Sequence, residues 1–323
     1  MYGHFRPAQA KWLIEWFEIN RMFGIGEFNL YNSIAQFSDD VQRVLEHYQS
    51  ARVLRLYDIP PPLTLKPKNV NDRSVADFSM RRALNDCMYR NMYRYKYIVV
   101  VDLDEIVVPV KHSSYHALMN SKQQLFNNQR EANNPRIAHQ CRFNQSGQDK
   151  IAGAAADNKG RNMGDNSRFM VGENVTAASL DDISSFVYGS YSFYGTYPRT
   201  PSSSGNHNNP QQQLHSTSYL YANTVKQRRN KSVINPRQCV FLFSHHCQMA
   251  LRRADCRHMK FSTAANAFHY RPTCYSTENP ERWNARRCAV MDKTKTRVRR
   301  MLHFQEKILG RYSAVYKRIF KEN

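Results

Sequence analysis

Nowhere does the sequence hold the run of about eighteen uninterrupted apolar residues that a membrane-spanning helix needs, and Met1-Tyr2-Gly3 opens it without a signal-peptide pattern. The chain is expected to be soluble as written, with any membrane anchor lying ahead of it. No C-x-x-C pair occurs among Cys87, Cys141, Cys239, Cys247, Cys256, Cys274 and Cys288, which argues against a structural zinc site despite the histidines among them. Most of these cysteines crowd the last third of the chain, a clustering that suggests disulfides in an oxidising lumen; their odd number leaves one thiol unpaired. No internal repeat is found.

Acidic residues are also scarce, 26 against 47 Lys and Arg, for a net charge of +21. Such a field favours phosphates, nucleic acids, anionic glycans or anionic membrane surfaces. Its densest stretch, Arg282 to Lys321, has the pattern of a solvated basic helix face, so no nucleic-acid partner is expected. The apolar fraction of 41%, with 12% aromatic residues, supplies a real core and excludes a wholly disordered chain. At 323 residues one large α/β domain with insertions is expected. N-x-S/T sequons stand at Asn144, Asn174 and Asn230, about as many as chance provides, and carry no inference.

Along the chain, Leu13, Trp16, Phe17, Ile19, Met22 and Phe23 recur at helical spacing, and Gly24 and Gly26 follow as stop signals. Phe28 to Tyr31 reads as a strand, Asp39 to Gln49 as a helix with Val41, Val44, Leu45 and Tyr48 inward, and Val53 to Tyr57 as a second strand ended by Pro60-Pro61-Pro62. A third helix is expected from Val75 to Tyr93, with Met80, Leu84, Cys87, Met88 and Asn91 on one stripe, before the buried strand Tyr97-Ile98-Val99-Val100-Val101. This alternation argues for a doubly wound sheet, whose ligands bind at the carboxyl ends of its strands. From Asn127 to Gln213 the pattern dissolves into Asn, Ser, Gly and Gln, interrupted near Arg142-Phe143 and, better, at Phe186 to Tyr194. Order resumes near Leu214 and continues through a strand at Val240 to Phe243 to basic terminal helices carrying Met301, Ile308, Val315 and Ile319.

Asp102-Leu103-Asp104-Glu105 stands at the end of the apolar strand. In extended backbone, residues i and i+2 point the same way, so Asp102 and Asp104 can face one hard cation together. Two chemistries use this pattern. In haloacid-dehalogenase phosphatases the first Asp attacks phosphorus and the second protonates the leaving oxygen. Those enzymes open with this strand and place Thr or Val two residues after the second Asp, whereas here about a hundred residues precede and Ile106 follows Glu105; Asp181-Asp182 is the one nearby acid pair for their later motif. The other is metal-assisted glycosyl transfer, in which an acid-held divalent ion neutralises the departing diphosphate of a nucleotide sugar. It needs a third ligand, and His245-His246 and His269 each follow a late apolar segment that could deliver an imidazole.

At this point a resemblance enters. Leu13-Ile14-Glu15-Trp16-Phe17-Glu18 through Phe23-Gly24, Leu30-Tyr31-Asn32, Ala83-Leu84-Asn85-Asp86-Cys87-Met88-Tyr89-Arg90, the acidic motif and Pro109 resemble, in order and spacing, glycosyltransferase family 92. So do Ser190-Tyr191-Ser192-Phe193, Lys231-Ser232-Val233-Ile234-Asn235-Pro236, Ser244-His245-His246 and His269-Tyr270-Arg271.

The resemblance implies an α/β, GT-A type nucleotide-sugar-binding fold with a doubly wound mixed sheet, and inverting transfer of a hexose, galactose from UDP-galactose, to a glycan or glycoprotein acceptor. It also implies a lumenal domain at the Golgi membrane, anchored only through a segment ahead of this chain. The family's strand before the Tyr2-Gly3 region, which helps hold the nucleotide, is expected to be missing here. On this reading residues 1–126 form the donor-binding half, 127–213 a polar, partly disordered insertion, and 214–323 the acceptor half with its terminal helices. Asp104 would ligate Mn²⁺, Asp102 would contact the ribose or the metal, His246 or His269 would complete the shell, and Lys231 and Arg271 would meet the phosphates. The polar stretch surrounds the region where a catalytic base would be sought, and none is assigned. Alternatives are the phosphatase, an inactive fragment and a basic binding protein.

Overall fold

A computed structural model of the chain describes residues 9–32, 37–59, 73–121, 124, 185–194, 214–216, 221–223, 231–243, 247–251, 258–260, 265–271, 295–297 and 299–320. The expected first helix is α1 (Gln9–Met22). It is covered on more than one side: Leu13, Ile14, Phe17 and Ile19 are buried, and so are Glu15, Glu18 and Asn20. Gly24, at φ 99°, takes the left-handed conformation that ends such a helix without a Cβ penalty.

Strands β1 (Phe28–Asn32) and β2 (Leu54–Asp58) pair in parallel, Phe28 opposite Leu54 and Asn32 opposite Asp58, with α2 (Asp39–Ser50) as the crossover. The four inward residues expected for α2, Val41, Val44, Leu45 and Tyr48, are all at 0% exposure. This is the βαβ unit that the alternation of patterns anticipates. Pro60 to Pro62 lie outside the described residues.

Helix α3 (Arg73–Asn91) leads to β3 (Ile98–Val100), and β4 (Glu105–Pro109) follows immediately after the acidic motif. The expected buried strand is half-buried, while β4 is buried throughout. The cause is a cavity of about 660 Å³ walled by α1, β1, α3 and β3. Among the described residues β1 pairs only with β2, and β3 only with β7 (Lys231–Ile234), so each borders that space with an open edge.

The larger sheet is mixed, and its hub is β5 (Ser185–Tyr194). Its first half lies antiparallel to β7 (Lys231–Ile234) and parallel to β10 (His258–Lys260). The second half lies parallel to β11 (Ala265–Arg271) and antiparallel to β6 (Tyr221–Asn223), which pairs with β12 (Lys295–Arg297). Strand β7 continues to β3, and β11 to β4, both antiparallel. The expected strand at 186–194 is therefore present, but at the centre of a sheet rather than as an island; residues 127–184, including Arg142-Phe143, lie outside the described residues. A hairpin, β8 (Cys239–Leu242) with β9 (Cys247–Ala250), carries a Cys239–Cys247 disulfide. Cys87 is a free thiol, and no other cysteine falls among the described residues. Helix α4 (Gln305–Phe320) closes the core on α1 with Ile308, Tyr312 and Val315. No helix among the described residues is long and apolar enough to cross a membrane.

Candidate active site

Residues 102–105 form a turn in which all four carbonyls accept hydrogen bonds. The Glu105 N–H donates to the Asp102 carbonyl at 3.0 Å, and the Asp102 N–H returns to the Glu105 carboxylate at 3.1 Å. The indole N–H of Trp12 donates to Leu103 O at 2.6 Å, that of Trp16 to Glu105 O at 2.8 Å, and the Tyr270 N–H to Asp104 O at 2.7 Å. Two α1 tryptophans one helical turn apart and one β11 amide thus fix where the acidic side chains point.

Those side chains meet two bases. Lys231, at the start of β7, places Nζ 2.8 Å from Asp102 Oδ2 and 2.6 Å from Glu105 Oε2. His269, paired opposite Glu105 in the β4–β11 ladder, places Nε2 2.8 Å from Asp104 Oδ2 and Nδ1 3.3 Å from Glu105 Oε1. Glu105, Lys231 and His269 are sequestered, with side-chain exposures of 4%, 4% and 11%, whereas Asp102 and Asp104 are open at 55% and 48%. A buried base on each side therefore steers two carboxylates that reach solvent.

Electrostatics follows the same division. Desolvation opposes the charge on Asp102, yet the adjacent Lys231 ammonium, its hydrogen bond and His269 hold the carboxyl below its ordinary value. Desolvation followed by the Asp102 charge pushes Glu105 upward against Lys231 and His269. Burial alone would lower Lys231, but Glu105 and Asp102 hold it above the usual lysine value, so it is a fixed cation. Asp102 and Glu105 thus share one ammonium, while Asp104 pairs with His269.

Ligand atoms of Asp104, Glu105 and His269 lie within 4.8 Å of one another. Two carboxylate oxygens and an imidazole nitrogen suit a hard or borderline divalent cation such as Mn²⁺. Of the residues singled out by sequence, the fold brings Asp102, Asp104, Lys231 and His269 together. Asp102 lies outside the convergent trio and pairs with Lys231. Lys231 is engaged by carboxylates and buried among them. His246 lies outside the described residues; Arg271 ends β11 two residues beyond His269, and its side chain is outside the described part. Glu105 is the residue that sequence reasoning passed over as a ligand. Its signal was the apolar run Ile106-Val107-Val108, which makes Glu105 the first residue of a buried strand, where a carboxylate needs partners.

A mixed α/β fold with an acidic motif at a strand end, backed by a buried lysine and a histidine, is a scaffold suited to nucleotide-sugar chemistry. The family model for glycosyltransferase family 92 matches residues 4–319, and the chain belongs to that family. It is accordingly a glycosyltransferase by family, which favours glycosyl transfer over the phosphatase chemistry that the acidic motif also allowed. No curated protein matches the chain.

Proposed function

We propose that the protein transfers a hexose, galactose, from UDP-galactose to a glycan acceptor with inversion, on a GT-A type fold, with a divalent cation held by Asp104, Glu105 and His269. The observation that carries this reading is the convergence of those three side chains at the mouth of the D-x-D turn. Mn²⁺ bound there would supply positive charge to the diphosphate as it departs. The chain's own residues do the rest: Lys231 holds Asp102 ionised and orients both Asp102 and Glu105, Asp102 presents its open carboxylate to the ribose hydroxyls, and Arg271 meets the phosphates. Compartment belongs to the same proposal. The Cys239–Cys247 disulfide suits an oxidising lumen such as the Golgi.

The test is UDP-galactose hydrolysis and transfer, measured with and without Mn²⁺, for the wild type and for Asp104→Ala. Transfer is expected to require the metal and to fall at least about a hundredfold in the variant. Undiminished transfer by Asp104→Ala would refute the metal assignment. Metal-dependent transfer from another sugar nucleotide, with none from UDP-galactose, would overturn the donor and keep the site.

A further inference from the structure

The cavity of about 660 Å³ is not a hollow on one face of a strand. Side chains of a strand alternate between its two faces, yet residues 24–31 and residues 95–101 each line the cavity without a gap. Strands β1 and β3 therefore meet this space with their edges. Just ahead of them, Arg94 donates to both carboxylate oxygens of Glu27, at 3.3 and 3.0 Å. The two strands thus start at the same end and run alongside each other without pairing.

Both faces of the gap are covered. Phe28 and Leu30 of β1 share a buried cluster with Trp16 and Phe17 of α1, and Tyr97, Val99 and Val101 pack against that same cluster. The alternate residues turn the other way: Tyr31 clusters with Ala83 of α3, and Val100, like Leu84, packs against the cluster that holds Met88 of α3. Strand edges on two sides and helices over two faces are the surroundings of an interior strand in a doubly wound sheet. A strand edge presents a row of N–H and C=O groups that need partners. Asn29, on β1 and lining the cavity, adds an Oδ1 that is buried with no hydrogen-bond partner among the described residues. A hydrocarbon tail would fill the volume and leave such groups unsatisfied, whereas an extended peptide fills it and pairs with them. Buried on both faces, that peptide must be apolar without alternation. In this sequence uninterrupted runs of five apolar residues occur at 97–101 and 239–243, and both are already engaged, in β3 and β8.

We propose that the cavity is an acceptor slot for one strand of a partner polypeptide, an extended apolar segment rich in β-branched residues that inserts between β1 and β3 and hydrogen-bonds to both. The five residues of β1 set its length, about 17 Å. The proposal is independent of the donor and metal assigned above. Hydrogen exchange at residues 28–32 and 97–101 of the full chain is followed by mass spectrometry with a synthetic peptide copying residues 96–102, with the same peptide carrying proline at its central position, and with myristate. The first peptide should slow exchange in both strands about tenfold or more. The proline peptide lacks the central N–H that an interior strand needs and should not. Leu84→Trp, which narrows the slot from α3, should lose the peptide's protection while β4 and β11 exchange as in the wild type. Protection of neither strand, or of one alone, overturns insertion. Equal protection by the proline peptide, or unchanged protection in Leu84→Trp, would mean apolar contact without pairing in the slot and overturns it as well. Myristate slowing exchange as strongly as the peptide would replace the strand with a lipid tail.

Discussion

Glu15 lies within α1 and is buried, and both its oxygens accept backbone N–H groups, His215 at 2.7 Å and Ser216 at 2.7 Å. Desolvation outweighs these hydrogen bonds and pushes the carboxyl from 4.5 up to about 7. A carboxyl raised on folding takes up a proton between its unfolded and native values. Its contribution is therefore fully present below about 4.5 and is lost as pH rises through about 7. The loss amounts to about 3 kcal/mol. Melting curves taken between about pH 5 and about pH 8 should show the wild type losing stability relative to Glu15→Gln; parallel curves would mean that Glu15 ionises as an ordinary surface acid. At this scale the grouping of Asp102, Asp104, Lys231 and His269 in the candidate site was legible. Asp102 and Asp104 stood out because acids at the end of an apolar run are costly unless used, and His269 because it follows Ala267-Phe268. Glu105 did not stand out, since an acid beside two others looks like a third solvated one until the strand after it is recognised.

The elements legible in sequence are those whose signal is local. Helices α1, α2 and α3 and strands β1 and β2 each carry their own period, and the inward face of α2 was readable to the residue. Strand β5 was foreseen as a strand but not as a hub, because its pairing with β7, β10, β11 and β6 depends on partners far along the chain that leave no mark on its own alternation. The hairpin β8–β9 shows the same limit. Its cysteines suggested a disulfide, yet only the fold selects Cys239 with Cys247, across eight residues. Closing so short a loop removes about 2.5 kcal/mol of unfolded-chain entropy, so Cys239→Ser/Cys247→Ser should lower stability by about that amount in denaturant titration. The midpoint of the double variant should match that of the wild type in reductant. Were the variant as stable as the oxidised protein, the hairpin would be held by Asn85 and the packing on Met88 alone.

For the molecule as a whole, the site is the place where distant parts of the chain are tied. Trp12 and Trp16 from α1, Lys231 from β7, and His269 and Tyr270 from β11 all converge on residues 102–105. Trp16 also lines the cavity of about 660 Å³ that β1 and β3 border with open edges. A ligand that bridges Asp104, Glu105 and His269 therefore stabilises contacts on which the whole fold depends, and its binding should register in global unfolding. At a hundredfold excess over its dissociation constant such a ligand contributes about 2.7 kcal/mol, or about 4 °C in melting temperature for a chain of this size. UDP with Mn²⁺ should produce that shift together, each alone should produce much less, and Asp104→Ala should remove it. A shift from UDP that ignores the metal would separate nucleotide binding from the carboxylate–imidazole trio and move the donor site elsewhere on the basic surface. No shift under either condition would mean that the native state binds neither, because mass action leaves no route for a bound ligand to escape the melting curve.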